Sequence, residues 1–152
     1  MNVLIAVKGT ESEGFYRRLA SLIALEHVDA IILAHVIDTR PHEALEAGRR
    51  RLLDRRPLSP DRALDLTHAE QERAARILAD ARSAVESCGF PRDRIQTVQL
   101  QGKPNEALRE FAERESCVVV VGRRPGEQGP HSIGKTARFL IDHAPIGAIL
   151  MR

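Results

Sequence analysis

Three short runs in this chain are apolar almost without interruption and rich in β-branched residues. They are Val3 to Val7 (VLIAV), Ala30 to Ile37 (AIILAHVI) and Cys117 to Val121 (CVVVV). A strand with one wet face alternates polar and apolar residues. Runs like these need cover on both faces, as in a parallel sheet packed between helices. A weaker, more polar run, Ile95 to Leu100 (IQTVQL), suits a strand nearer an edge. Ala148 to Met151 (AILM) is a last short strand.

Helical patterns separate these runs. After Thr10, the residues Phe15, Leu19, Leu22 and Ile23 fall on one helical face, and Thr10 with Glu13 has capping-box spacing. Thr67 and Glu70 form a second such pair, opening a helix with Ala74, Leu78, Ala81, Val85 and Cys88 on one stripe. Gly89 and Pro91 stop it. Pro104 opens a third helix with Ala107, Leu108, Phe111 and Ala112 inward. A fourth spans about Lys135 to His143, before Pro145. The order β-α-β-insert-α-β-α-β-α-β predicts a doubly wound α/β sheet with helices on both faces. Residues 39–66 are the least regular part, with three prolines and the arginines Arg49, Arg50, Arg51, Arg55 and Arg56. A short helix near 42–54 followed by a loop is expected there.

The length of 152 residues suggests one domain over 1–152. A formal charge of +2 gives no general attraction to nucleic acid. The Arg49–Arg56 cluster has no interleaved aromatics for base stacking, so a solvated face or a protein partner is expected rather than nucleic acid. Met1 leads straight into a strand, and no apolar stretch approaches the ~18 residues of a membrane span. A cytoplasmic location is expected. Cys88 and Cys117 lie apart and read as core thiols. The six histidines lack metal-ligand spacing, so no structural metal is expected. His35 reads as a core histidine, His143 as a helix C-terminal cap and Asp38 as a turn residue. Ser132 has no nucleophile-elbow context.

Gly129 to Thr136 (GPHSIGKT) matches the P-loop pattern letter for letter. A P-loop follows directly on a strand and needs a later strand with a Mg²⁺-binding carboxylate. Here seven residues separate Val121 from Gly129, and only 16 follow Thr136. After the first strand, Gly9 and Gly14 have the glycine spacing but are followed by Phe15 and Tyr16, without Lys or a hydroxyl. A P-loop NTPase is not expected.

Residues 117–152 resemble the C-terminal third of the universal stress protein family. The resemblance rests on a strand, a glycine-rich loop, a helix, His143-Ala144-Pro145 and a last strand ending in Arg152. Gly9-Thr10, Ala34-His35-Val36 and Gly102-x-Pro104 extend it over the whole chain. It implies a five-stranded parallel sheet ordered 3-2-1-4-5. It also implies adenine-nucleotide binding, ATP above all, at the ends of the first and fourth strands. Carried over, Val7 and Lys8 end the first strand, and Val36 faces the adenine. Gly122, Arg123, Arg124 and Gly126 lie in the phosphate loop, and Gly134, Lys135, Thr136 and Ala137 at the helix start.

This chain departs from the family pattern. Its loop reads Gly122-x3-Gly126-x7-Gly134-Lys135, one residue shorter from first glycine to last. Lys135 replaces a small hydroxyl residue, Ala137 stands where a serine is common, and Lys8 replaces a common acid. Lys8, Arg123, Arg124 and Lys135, with His131 nearby, are expected to gather at a helix N-terminus, which suits an anion. The expected function is a non-catalytic stress-response module that binds an adenine nucleotide or other anion. The expected assembly is a homodimer formed through the last strand, residues 147–151. The alternatives are a ligand-free interaction module, or an enzyme such as a slow ATPase or adenylyl transferase.

Overall fold

The apolar runs become the strands of one sheet because each buries both of its faces. In the computed structural model, five strands form a parallel sheet: β1 (Asn2–Ala6), β2 (Ala30–Asp38), β3 (Ile95–Gly102), β4 (Cys117–Gly122) and β5 (Ala148–Met151). Their order is β3-β2-β1-β4-β5, as the family resemblance implies. Four helices lie among the described residues: α1 (Glu13–Leu22), α2 (Pro60–Ser87), α3 (Pro104–Arg114) and α4 (Lys135–His143). The structure describes residues 1–40, 60–124, 126–127 and 129–151, with only the backbone at Leu25, over 60–66 and at Pro130. The short helix expected near 42–54 and the arginine cluster fall outside the described residues.

Period-two alternation splits the core into two layers. Val3, Ile5 and Val7 of the first strand run, with Ile31, Leu33 and Val120, pack against Phe15 and Leu19 of α1 and Leu78 and Val85 of α2. Leu4, Ala6, Ile32, Ala34, Val119 and Val121 pack on the other face, against Leu108 and Phe111 of α3 and Leu140 of α4. The molecule is therefore three layers deep, α/β/α. No described helix is long and apolar enough to cross a membrane.

Several local expectations need correction. α1 starts at Glu13 with Ser12 at its N-cap, so the Thr10–Glu13 capping box does not form. The Glu11 carboxylate instead accepts the backbone N–H groups of Lys8 and Gly9, both at 2.9 Å, and holds the chain off the helix until Ser12. Leu22, expected inward, is 68% exposed, because α1 ends there and the chain turns extended at Ile23. α2 begins at Pro60, seven residues before Thr67. Thr67 and Glu70 thus lie within a helix already under way, and residues 60–66 belong to it rather than to the loop. Proline is favourable in a first helical turn, where its missing N–H would have no partner.

Other readings hold in detail. Cys117 is fully buried, and burial pushes its thiol pKa up; Cys88 packs half-buried against the α1–α2 layer. His143 Nδ1 donates to the Phe139 carbonyl at 2.9 Å, and its ring stacks on Phe139 with centroids 4.3 Å apart, closing the end of α4. Asp38 accepts from Arg40 Nε at 2.9 Å, and that guanidinium lowers the carboxyl pKa. The expected turn residue is corrected, however: Asp38 is the last residue of β2, paired with Gly102 within the sheet.

Candidate functional site

The chain leaves β1 for β2 on one side, while β4 flanks β1 on the other. The crossover direction reverses there, so the carboxyl ends of β1 and β4 diverge into a crevice. Two cavities occupy it, and they share Lys8 and Gly122.

The first is an apolar slot of about 240 Å³. The ends of β1 and β2 supply Val7, Ala34 and Val36, and α3 supplies Leu108. Thr136 and Ala137 close it from the first turn of α4. His35 is half-buried at its edge, and its Nδ1 donates to the Val7 carbonyl at 2.8 Å. That bond fixes the tautomer, with the proton on Nδ1. The core-histidine reading thus meets a residue that is satisfied but also borders the cavity.

The second is a polar basin of about 300 Å³. Four cations line it: Lys8, Arg18, Arg123 and Arg124. Gly126 also lines it. A β-carbon on Gly134 would stand 3.8 Å from Arg124 Nε and 3.9 Å from Lys8 Nζ, so both cationic heads reach the N-terminus of α4. Two carboxylates share the basin and both are engaged. Glu11 holds the amides of Lys8 and Gly9 just past β1, and Glu127 lies 3.5 Å from Arg124. Gly9 must be glycine at this turn. Its φ is +85°, and a β-carbon would press to 3.0 Å of Ile77.

Residue by residue, the structure brings Val7, Val36, Thr136 and Ala137 to the slot, Arg123, Arg124 and Gly126 to the basin, and Lys8 and Gly122 to both. Gly134 is buried at the N-cap of α4. Lys135 is not brought in. It is exposed on the first turn of α4 and lines neither cavity. His131 is exposed and also lines neither. The expected gathering of cations is therefore corrected: Arg18 of α1 takes a place in the basin and Lys135 does not. The P-loop-like string does not wrap a cavity either; among its described residues only Thr136 lines one. Its Gly129 carbonyl accepts both the backbone N–H of Ser132 at 3.2 Å and the Ser132 hydroxyl at 2.7 Å.

Two residues were missed from the sequence. Arg18 sits one helical turn after Phe15, which also lines the basin, and that spacing was the available signal. Ser132 is fully buried, and its hydroxyl also accepts from Arg123 Nη1 at 3.3 Å. Its carbonyl accepts the Arg124 N–H at 2.8 Å. One serine thereby positions both arginines of the loop. Ser132→Ala leaves the Gly129 carbonyl with only the Ser132 N–H, and leaves the half-buried Arg123 guanidinium short of an acceptor. It is expected to destabilise the protein by ~1–2 kcal/mol, lowering the midpoint of thermal unfolding by roughly 2–8 °C. An unchanged midpoint would show that the hydroxyl does not hold the loop.

The model of the universal stress protein family matches residues 1–152. No curated protein matches the chain. Among solved structures, the chain is similar to the universal stress protein UspA from Lactobacillus plantarum, at 20% identity and a TM-score of 0.69, covering 100% of this chain and 97% of that one. A universal stress protein in complex with cAMP gives a TM-score of 0.62 at 16% identity, covering 99% and 94%. One from Archaeoglobus fulgidus gives 0.57 at 17%, covering 100% and 98%. At such identities the likeness to these structures is one of fold.

Proposed function

Because this chain belongs to the universal stress protein family, we propose that it is a non-catalytic module of a stress response that binds an adenine nucleotide. The observation that carries this reading is the pairing of two unlike cavities at one crevice. An apolar slot of about 240 Å³ suits a planar base. A basin with four cations, opening beside it across Lys8 and Gly122, suits the phosphates. A solved family member was crystallised with cAMP, a ligand of the same two-part chemistry. The non-catalytic part rests on the side chains at hand. The Ser132 hydroxyl is buried and committed to Gly129, and the Glu11 carboxylate is committed to backbone amides. Neither is poised as a nucleophile or base.

Calorimetric titration with ATP, AMP and cyclic AMP tests the proposal. Saturable binding of at least one of them, without turnover, is expected. No heat with any of them at millimolar concentration would favour a ligand-free interaction module of the same fold.

The proposal includes a homodimer formed through β5. That strand pairs only with β4 among the described strands, leaving its outer edge open. Beside it, Ile146 is 56% exposed and Ile141 of α4 is 42% exposed. An open edge flanked by apolar side chains invites a second copy. Sedimentation is expected to show a dimer at micromolar concentration, shifted toward monomer by Ile146→Asp. A protein that is monomeric throughout that range would remove this part of the proposal.

A further inference from the structure

The basin carries more positive charge than its own carboxylates answer. Of its four cations, Arg124 faces Glu127 at 3.5 Å and Arg123 donates to a neutral hydroxyl. Lys8 and Arg18 have no ion-pair partner among the described residues. Glu11, the other acid, spends its two oxygens on the backbone amides of Lys8 and Gly9. Among the described residues no group of three histidines, cysteines or acids could hold a metal ion. A divalent ion entering the basin would meet four cations and no uncommitted carboxylate.

From this we infer that the basin takes a polyphosphate chain without a divalent metal, its charge met by Lys8, Arg123, Arg124 and, from α1, Arg18. A nucleoside triphosphate and a free polyphosphate share that chemistry. The nucleoside form rests on the reading of the slot as a base site; the free form does not. Arg18 acts here as a residue that selects for phosphate number. It stands on α1 and lines the basin but not the slot, so a chain that enters over Lys8 and Gly122 meets it only by reaching on into the basin. A single phosphate beside the slot would engage Lys8 and leave Arg18 unused.

The test is calorimetry on the full chain with ATP, AMP and inorganic tripolyphosphate, each in excess Mg²⁺ and again in EDTA at matched ionic strength. The expected result is that ATP binds at least as tightly in EDTA as in Mg²⁺, since the metal would cancel charge that the basin seeks. Arg18→Gln should weaken ATP about tenfold, the scale of one charge-assisted contact, while AMP changes less than about twofold. Arg17→Gln serves as the control, because Arg17 pairs with Glu13 outside the basin. ATP binding that requires Mg²⁺ would overturn the inference and leave the nucleotide reading standing. Tripolyphosphate binding in EDTA without any ATP binding would uphold the basin and overturn the base slot. Failure of both ligands would overturn the inference, as would an Arg18→Gln variant with an unchanged ATP-to-AMP ratio.

Discussion

Lys8→Glu is expected to weaken adenine-nucleotide binding by about 30-fold, while Lys135→Ala changes it less than threefold. Lys8 is the charged residue that borders both cavities. Its head lies near the N-terminus of α4, where a phosphate would also meet free backbone N–H groups. Lys8 is exposed, so solvent screens it and the lost attraction is only ~1 kcal/mol. Charge reversal adds a repulsion of similar size, because the new carboxylate faces the phosphates beside Glu11. Together these give ~2 kcal/mol, or about 30-fold in affinity. Lys135 carries the same charge on the first turn of α4 but lines neither cavity. Calorimetry on both variants, with thermal unfolding to show that each is folded, decides the matter. A large loss in Lys135→Ala with none in Lys8→Glu would relocate the phosphates to the outer face of α4.

The contrast between these two lysines shows what was legible in the sequence. Both stand where the family resemblance places phosphate contacts, and neither motif says which way the side chain points. Helical geometry does. Ala137 and Leu140 of α4 are buried, which fixes its inner face. Lys135 precedes Ala137 by two residues, about 200° around the helix at 100° per residue, and so points outward. The P-loop match had concealed that simple count. Arg18 was hidden for the opposite reason. Next to Arg17 it reads as a solvated charge, and only the approach of the β4–α4 loop turns its surface into a cavity wall.

The architecture was far more legible than the site. Val3, Ile5 and Val7 alternate with Leu4 and Ala6, and both sets are apolar, so a two-faced sheet was required before any contact was known. Element ends were less so. A capping box is a local signal, and two of them lost to competing signals in the neighbouring sequence. At Thr10 the Glu11 carboxylate captured the amides of Lys8 and Gly9. At Thr67 the helix had already begun upstream, at Pro60. Ser132 was illegible altogether, since its role depends on two arginines that the folded loop brings back to it.

Leu4→Ala puts the central strand itself to the test. Leu4 is fully buried in β1, which pairs with β2 on one side and β4 on the other, opposite Ile32 and Val119. It lies in the layer that also holds Leu108, Phe111 and Leu140, so two helices close over it. Truncation removes three carbons and leaves a void that the flanking strands cannot fill, because their hydrogen-bonded registers hold them in place. A loss of about 3 kcal/mol is expected, within the ~2–5 kcal/mol range for buried leucines. For a domain of this size that corresponds to a fall in unfolding midpoint of roughly 6–12 °C. Leu22→Ala, at a side chain 68% exposed, should change stability by less than ~0.5 kcal/mol. Denaturant unfolding of the two variants measures the difference directly. Equal effects at Leu4 and Leu22 would mean that the sheet is not packed on both faces. The crevice between β1 and β4 would then lose the frame that positions Lys8 and Gly122.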